Sequence, residues 1–302
     1  MIKIAYCDLY AHPLPEGHRF PMLKYELIPQ QLLHIGKIVP EQLFCPEPAD
    51  EDVILLTHKK TYWEQLRDLT LPYKEQRRIG FPLTARLLER EIRIAQGTID
   101  GALAALKYGL AFNVAGGTHH AGSNWGEGFC LLNDQAIAAN YLILNKICNR
   151  ILIIDLDVHQ GNGTAEIFLD EPRVFTFSMH GAKNFPFRKE YSDLDLPLED
   201  STAGDKYLAL LQEHLPAVIK IFQPEFVFYL SGVDVLETDK LGKLKLSKSE
   251  TAARDRIVFE TCKSYNLPVQ VSMGGGYSVN IKDIVDAHCN TFLIGFDIFE
   301  EL

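Results

Sequence analysis

Polar side chains stand at every second position after a short apolar run in the middle of the chain. The run covers residues 151–154, and Asp155, Asp157 and His159 follow it. Because side chains alternate between the faces of a strand, these three would project to one side about 7 Å apart. Carboxylates and imidazoles bind divalent ions, and ligands of open parallel sheets bind at the carboxyl ends of the strands. We therefore expect a metal site here rather than a strand end with solvated acids.

A second carboxylate could reach the same ion from a neighbouring loop. Asp234 and Asp239 both follow the apolar run 226–230. Spacing alone does not separate one from the other, and a solvated acidic loop fits the pattern equally well. Together with Asp157 and His159, either aspartate would give two carboxylates and one imidazole. Such a set leaves one coordination position open for water, as a catalytic zinc requires.

Adjacent histidines, His119 and His120, lie in a glycine-rich turn directly after a predicted strand. They are uncommon as packing residues, since both would need buried partners. The pattern favours a pair of general acid–base groups whose pKa values are separated by different neighbours. Tyr277 follows three glycines and could donate a hydrogen bond to a developing oxyanion, although a tyrosine packed in a turn fits as well.

Other residues, in loops near the predicted carboxyl edge of the sheet, are weaker candidates for the site. Phe129 and Phe185 could form the walls of an apolar slot. Cys130 is interpreted as inert, because no activating base is evident near it. Asn133 is interpreted as a helix cap.

These side chains need a scaffold, and the hydrophobic pattern predicts alternating strands and helices. Strands are predicted at 2–6, 112–114, 151–154, 174–178, 226–230, 269–273 and 291–295, with a further apolar run at 53–56. Helices are predicted at 22–33, 62–69, 83–106 with a soft break at Gly97, 133–144, 164–169, 208–222, 247–265 and 281–288, and a loop at 77–82. Ser247 and Glu250 resemble a capping box. We expect one domain over residues 1–302, a three-layer α/β/α fold with a mainly parallel central sheet.

Composition excludes several classes of function. The 302 residues, 47% of them hydrophobic, can bury a large core. A net charge of −10 without a cluster of Lys and Arg argues against nucleic-acid partners. Six scattered cysteines indicate reduced thiols, so a cytoplasmic protein is expected. Neither a signal peptide nor a run near the roughly 18 apolar residues of a membrane span is found, so no membrane partner is expected.

The candidate residues belong to a series of short motifs along the chain: Gly116-Gly-Thr-His-His-Ala121, Gly128-Phe-Cys130, Asn133-Asp134, Asp155-Leu-Asp-Val-His159, Ser178-Met-His180, Gly232-Val-Asp234 with Asp239, and Gly275-Gly-Tyr277. In this order the motifs resemble those of the histone deacetylase superfamily, which has the arginase-like α/β fold. The motif after the central strand, His159-Gln-Gly-Asn-Gly163, is similar to the class IV (histone deacetylase 11-like) branch, with its bacterial relatives.

The resemblance implies a bound Zn²⁺ and, in addition, a structural K⁺. It makes Asp157, His159 and Asp239 the zinc ligands and so prefers Asp239 over Asp234. The implied potassium ligands are Asp155, Ser178 and the main-chain oxygens of Asp157, His159 and Met179.

The resemblance also implies roles in catalysis and substrate binding. His120 would be the general base and acid, with His119 as an electrostatic partner oriented by Asp155, and Tyr277 would polarise the acyl carbonyl. The implied substrate contacts are Phe129 and Phe185 as tunnel walls and the Gly128 carbonyl as an acceptor for the substrate amide.

Asn162 departs from the family pattern, because most members carry Asp at this position. An amide cannot stabilise an imidazolium as a carboxylate does, so we expect a lower pKa for His120 than in the Asp form. The neutral, base-competent imidazole would then be favoured near neutral pH.

The implied activity is zinc-dependent hydrolysis that removes an acetyl or longer acyl group from N-acyl-lysine in a protein or peptide, or from a related acylated small amine. One alternative is a binuclear manganese ureohydrolase of the arginase type. That chemistry needs an acid two residues past the strand histidine, where Gly161 stands. Another is a catalytically silent acyl-lysine-binding protein, which has no need for both the histidine pair and Tyr277.

Overall fold

Apolar runs that are buried on both faces form the centre of one parallel sheet. The computed structural model describes residues 1–300. Within them the strands are β1 (Lys3–Ala5), β2 (Leu43–Phe44), β3 (Leu110–Asn113), β4 (Ile151–Asp155), β5 (Val174–Gly181), β6 (Leu194–Leu198), β7 (Phe226–Leu230) and β8 (Val269–Ser272). The sheet has eight strands in the order β2-β1-β3-β8-β7-β4-β5-β6. Every neighbouring pair is parallel.

Helices lie between successive strands, except between β5 and β6, and cover the sheet. They are α1 (Lys24–His34), α2 (Glu51–Ile54), α3 (Lys60–Arg67), α4 (Tyr73–Ile79), α5 (Ala85–Tyr108), α6 (Asp134–Leu144), α7 (Asn162–Phe168), α8 (Gly204–Phe222), α9 (Lys248–Ser264) and α10 (Ile281–Phe299). The capping box at the start of α9 is confirmed, since Ser247 and Glu250 bond reciprocally. No helix formed by residues 1–300 combines the length and apolar character needed to cross a bilayer.

The alternation of side chains in β4 divides the interior into two apolar layers. Ile151 and Ile153 join a cluster with residues of α5 and α6. Leu152 and Ile154 join a second cluster with residues of α8, α9 and α10. A strand buried on both faces needs this continuous apolar run, and the three-layer α/β/α prediction is confirmed.

Several predicted elements are wrong at the level of local structure. The strand predicted at 291–295 is part of α10, which continues to Phe299 and buries Phe292 and Phe296. The first two residues of the run 53–56 end α2 and the other two lie in the turn that follows. The predicted loop 77–82 is helical as far as Ile79. Short apolar runs do not distinguish strand from helix by periodicity alone. α5 passes through Gly97 without a break.

The row of polar side chains after β4 is not on a strand, which corrects the predicted geometry. β4 ends at Asp155. The Asp157 N–H donates to Asp155 Oδ1 at 3.1 Å, and the His159 N–H donates to Asp157 Oδ1 at 2.9 Å. These bonds coil the chain immediately after the strand, because short acidic side chains compete for nearby N–H groups. The two residues therefore project from a turn at the carboxyl edge of the sheet.

Candidate active site

Three buried donor groups converge at this edge. One atom each from Asp157, His159 and Asp234 lies within 4.8 Å of the others, the one such group found among residues 1–300. His159 Nδ1 is 3.0 Å from Asp157 Oδ1 and 3.1 Å from Asp234 Oδ2. The turn after β4 supplies two donors, and the loop after β7 supplies the third. Two carboxylates around one imidazole nitrogen fit a divalent ion that takes oxygen and nitrogen ligands.

The electrostatics of this group favour a bound cation. Burial and the charge of Asp157 raise the pKa of Asp234 to about 7. Burial lowers the pKa of His159, but its bonds to the two carboxylates outweigh burial and raise the pKa to about 10. Burial raises the pKa of Asp157, but the charges of His119 and His159 outweigh it, and the pKa lies well below its usual range. Buried carboxylates concentrate negative charge that a divalent cation would neutralise.

Asp239, the ligand implied by the family resemblance, makes other contacts. Its Oδ1 accepts hydrogen bonds from the N–H groups of Leu241 (2.8 Å) and Gly242 (2.9 Å). Its Oδ2 accepts one from the N–H of Tyr277 at 2.5 Å. Burial raises the pKa of Asp239, and the bonds from these N–H groups oppose that rise. The structure thus brings Asp234 to Asp157 and His159, and Asp239 to Tyr277.

Glycines let the backbone close around the donor group. The Gly275 N–H donates to Asp157 Oδ2 at 2.8 Å. A Cβ at Gly275 would lie 2.0 Å from Asp234 Oδ2, and one at Gly232 would lie 2.3 Å from Asp157 Oδ2. Only residues without a side chain permit this approach, so the glycine-rich turn after β8 forms part of the site.

The adjacent histidines have different electrostatic environments. His119 Nδ1 is 2.7 Å from Asp155 Oδ2, which is the expected orienting contact. Burial lowers the pKa of His119, but the charges of Asp155 and Asp157 outweigh burial and raise it. Burial and the charges of His119 and His159 hold the pKa of His120 well below its usual range. His120 is therefore neutral at pH 7, whereas His119 favours the charged form.

A chain of hydrogen bonds determines which nitrogen of His120 carries the proton. Asn162 Nδ2 donates to Glu127 Oε1 at 2.6 Å, and an ionised carboxylate can only accept. The other amide atom, Asn162 Oδ1, is an acceptor and lies 2.7 Å from His120 Nδ1. His120 Nδ1 must therefore be the donor, which leaves the lone pair on Nε2 free to accept a proton. Arg78 pairs with the far oxygen of Glu127 at 2.8 Å.

A cavity of about 400 Å³ opens above the site. Tyr277 lines it, and burial together with the charges of Asp157 and Asp234 holds the pKa of Tyr277 well above its usual range. The hydroxyl therefore stays protonated and can donate. The predicted substrate contacts also line this cavity, together with one of the adjacent histidines and one residue of the donor group: Gly128, Phe129, Phe185, His120 and His159.

Of the implied potassium ligands, Asp155 ends β4 and Ser178 is its partner in β5, the strand on the side of β4 away from β7. Asp155 and Ser178 line a small cavity of about 10 Å³, together with Thr164 and Thr176. This volume is about that of one water-sized occupant. Ser178 Oγ is 2.9 Å from His180 Nδ1, and Met179 between them is fully buried.

Two residues without a predicted role of their own support the site. Lys24 is fully buried, and its Nζ donates to the Gly274 carbonyl oxygen at 2.9 Å. Burial lowers the pKa of Lys24 to about 8. Asp134 accepts hydrogen bonds from the Thr118 N–H at 2.9 Å and hydroxyl at 2.7 Å, which holds the turn before the histidine pair. Neither residue could be recognised as buried from the sequence, because Lys24 stands at the start of a helix and Asp134 directly follows a helix cap.

Cys130 and Asn133, just before α6, are both buried. The Asn133 side chain accepts from the Ala136 N–H at 3.0 Å, which confirms the helix cap. Cys130 is buried, and burial holds its pKa well above the usual range. A protonated, buried thiol is a poor nucleophile.

The fold and the site together define a parallel α/β protein with a metal-type donor group at the carboxyl edge of its sheet. The histone deacetylase domain model matches residues 18–292. The chain belongs to the histone deacetylase family of hydrolases, whose members are generally metal-dependent.

Curated relatives cover most of the chain. An uncharacterized protein of Picosynechococcus is 46% identical over 285 residues, 94% of this chain and 95% of its own length. Histone deacetylase 2 of Arabidopsis thaliana is 30% identical over 270 residues, 86% of this chain and 70% of its own. The acetoin utilization protein AcuC of Staphylococcus aureus is 29% identical over 287 residues, 87% and 74% of the two chains.

Solved structures show the same fold. A homologue of histone deacetylases in complex with SAHA superimposes with a TM-score of 0.82 at 26% identity, covering 98% of this chain and 83% of that one. A homologue from Aquifex aeolicus gives 0.83 at 25% identity, covering 97% and 84%. The predicted superfamily is thereby confirmed, and the class IV branch stays a prediction.

Proposed function

We propose that the protein is a zinc-dependent hydrolase that removes an acetyl or longer acyl group from N-acyl-lysine or a related acylated amine. One observation carries the proposal. A neutral His120 with a free Nε2 lone pair, a protonated Tyr277 and the metal donor His159 line one cavity. These are the base, the oxyanion donor and the ion site that amide hydrolysis needs. Membership of a deacetylase family supports the same reaction class.

For the metal we propose Asp157 and His159 as ligands, with Asp239 as the third. The support for Asp239 is the family resemblance and its bond to the Tyr277 N–H. Asp234 is the alternative, because its carboxylate lies beside His159 Nδ1. When bound, Zn²⁺ supplies Lewis acidity for the attacking water and the acyl carbonyl. For the potassium ion we propose the ligands that the resemblance implies.

The reaction then follows from the side chains around the cavity. His120 Nε2 takes a proton from the attacking water, whose oxygen forms a bond to the acyl carbon. The Tyr277 hydroxyl donates to the carbonyl oxygen as negative charge develops there. His120 or the charged His119 protonates the leaving nitrogen as the C–N bond breaks, giving a carboxylic acid and an amine. Phe129 and Phe185 hold the apolar stem of the substrate and exclude water.

The test is hydrolysis of acyl-lysine peptides of increasing acyl length, with acetylated polyamines alongside. Tyr277→Phe removes one oxyanion donor and should lower kcat by about 10²–10³ while the zinc content is unchanged. Tyr73→Phe is the matched control, because this side chain is 75% exposed. Wild-type turnover in Tyr277→Phe would contradict the assignment, and hydrolysis of no acylated substrate would favour a silent acyl-lysine-binding protein.

Metal analysis distinguishes Asp239 from Asp234 as the third ligand, and the zinc-dependent hydrolase from the manganese ureohydrolase. Asp239→Asn should abolish stoichiometric zinc if Asp239 is the third ligand, and Asp234→Asn should do so if Asp234 is. Asp157→Asn is the positive control, because both alternatives use it. One ion per chain in the wild type supports the proposal, whereas two manganese ions per chain would support the ureohydrolase.

The proposal also covers the domain organisation, the branch of the family and the cellular compartment. We propose one catalytic domain over residues 1–302, of the class IV type and cytoplasmic. The cysteines offer supporting evidence for a reducing compartment, since all six are free thiols in the structure.

A further inference from the structure

Basic side chains from four separate segments surround the mouth of the cavity. They precede α1, lie in α4, follow β5 and lie between β7 and α9. In the part of the chain that the structure describes, no aspartate or glutamate lines this cavity. We call these four residues the cationic rim: Arg19, Arg78, Lys183 and Lys243.

The charge of the rim is opposite to that of the whole molecule. The chain has 30 Lys and Arg against 40 Asp and Glu, a net charge of −10. A lining with four basic and no acidic residues is therefore a local reversal. Clefts lined by one sign of charge focus the field and raise the local concentration of oppositely charged ligands. The cavity should attract anions although the protein as a whole repels them.

Two members of the rim have carboxylate partners. Arg78 is bound to Glu127 at 2.8 Å, so much of its charge is balanced. Lys183 lies 3.6 Å from Glu199, with the two side chains 64% and 75% exposed. Pairs this exposed are screened by water and salt and contribute little, so Lys183 can still attract a ligand.

The other two members offer uncompensated charge. The Arg19 guanidinium lies 5.1 Å from the centre of the Phe129 ring, which holds it over the cavity wall. Lys243 Nζ donates to the Lys183 carbonyl oxygen at 3.0 Å, which leaves two N–H groups for a ligand. Within residues 1–300 neither has a carboxylate at ion-pair distance. Both cations are therefore positioned at the mouth without being neutralised.

We propose that the cationic rim selects acyl-lysine substrates that carry carboxylates next to the acylated residue. This inference rests on the proposed acyl-lysine hydrolysis. A lysine stem that enters between Phe129 and Phe185 leaves its backbone and flanking residues at the mouth. Acidic neighbours there meet Arg19 and Lys243, whereas basic neighbours, and the free ammonium groups of acylated polyamines, are repelled. Free Nε-acyl-lysine shares this chemistry through its α-carboxylate.

The test compares end-capped acetyl-lysine peptides flanked by Asp, Gly or Lys. An exposed charge pair contributes about two- to fivefold, so kcat/KM should be roughly tenfold higher for the Asp-flanked than for the Lys-flanked peptide at low salt. The double variant Arg19→Gln/Lys243→Gln should lower this ratio about fivefold. Lys206→Gln, an exposed lysine of α8, is the matched control and should keep it. Equal rates for the peptides, or a ratio unchanged in the double variant, would overturn the proposal.

Two further measurements distinguish a failure of the proposed hydrolysis from a failure of the proposed selection by the cationic rim. Fluorescence anisotropy of labelled peptides reports binding without turnover, and affinity should decrease from Asp-flanked to Gly-flanked to Lys-flanked peptide. If no peptide is hydrolysed but this order holds, the proposed reaction fails and the rim proposal stands. Free Nε-acetyl-lysine compared with its carboxamide shows whether one α-carboxylate is sufficient or acidic side chains are needed. The proposed selection by the cationic rim would be refuted if binding depended neither on the charge of the flanking residues nor on the α-carboxylate of free Nε-acetyl-lysine.

Discussion

At the scale of single residues, Glu127 acts on His120 through Asn162. The carboxylate orients the Asn162 amide, and the amide in turn requires a proton on His120 Nδ1. Glu127→Gln removes this constraint, because a glutamine can donate as well as accept and lets the Asn162 amide flip. We expect kcat to fall about tenfold with KM little changed. ¹⁵N NMR of His120 should show a mixture of the two neutral tautomers.

Arg78→Gln is the control for this prediction. It removes the outer partner of Glu127 but leaves the carboxylate that orients Asn162. The Nδ1–H tautomer of His120 should therefore persist in Arg78→Gln. A single Nδ1–H tautomer in Glu127→Gln would refute the positioning role.

Replacement of Asn162 by Asp tests the pKa of His120. A carboxylate beside Nδ1 would stabilise the imidazolium and raise its pKa, so the neutral base would be lost at higher pH. In the single variant the new carboxylate would face Glu127, and the pair would share a proton. The double variant Asn162→Asp/Glu127→Gln avoids this. Its acid limb of kcat/KM should move up by about one to three pH units, and an unmoved limb would count against the assignment.

Residue types near strand ends, together with the family resemblance, predicted much of the site, but not which aspartate of the loop after β7 would lie beside His159. The contacts of His119 with Asp155 and of His120 with Asn162 follow from motifs that adjoin in the fold. The choice between Asp234 and Asp239 depends on how one loop turns over five residues, and spacing cannot give that. The role of Lys24 was not predicted, because no pattern in the sequence indicates that an ammonium group is buried before its acceptor is known.

At the scale of elements, the start of α1 supports the glycine-rich turn after β8. The buried Lys24 ammonium bonds the Gly274 carbonyl oxygen and lies over the Tyr277 ring at 6.0 Å. Lys24→Met would leave that oxygen unsatisfied and loosen the turn that presents Tyr277. Because a displacement of about 1 Å can cost about 10²-fold in rate, we expect kcat/KM to fall about ten- to hundredfold.

Rescue distinguishes positioning from general destabilisation. Lys24→Gln keeps a donor for the Gly274 oxygen and should recover part of the activity, whereas Lys74→Met, at an exposed site of α4, should lose none. The melting temperatures of the variants are measured alongside. If Lys24→Met kept wild-type kcat/KM, the proposed support of Tyr277 by α1 would be wrong.

The elements themselves were predictable where an apolar run stands apart from other apolar residues or where a helical pattern is long. Strand 226–230 and helix 133–144 lie close to their predicted bounds. The strand prediction for 291–295 failed, because these five residues resemble a strand only when they are considered apart from the helix that precedes them. β6 was missed because it is an edge strand whose side chains are mostly half-buried and include Pro197.

At the scale of the whole molecule, the donor group ties together segments that are distant in the chain. Asp157 and Asp234 follow β4 and β7, which pair in the middle of the sheet, and Gly275 follows β8 on the other side of β7. Burying several carboxylates in one place is unfavourable unless their charges are balanced. A bound ion would therefore contribute to the stability of the folded chain as well as to the proposed chemistry.

Removal of the metal should then lower the melting temperature. An ion at 100 times its Kd stabilises the folded state by about 2.7 kcal/mol, and 1 kcal/mol corresponds to roughly 2 °C in a large domain. We expect chelator-treated protein to melt about 5 °C lower, measured by calorimetry after metal analysis shows that the ion is gone, and re-addition of zinc should restore the value. Asp157→Asn, which lacks a ligand under either assignment, should show no effect of chelator. An unchanged melting temperature in metal-stripped wild type would mean that this donor group does not couple metal binding to folding.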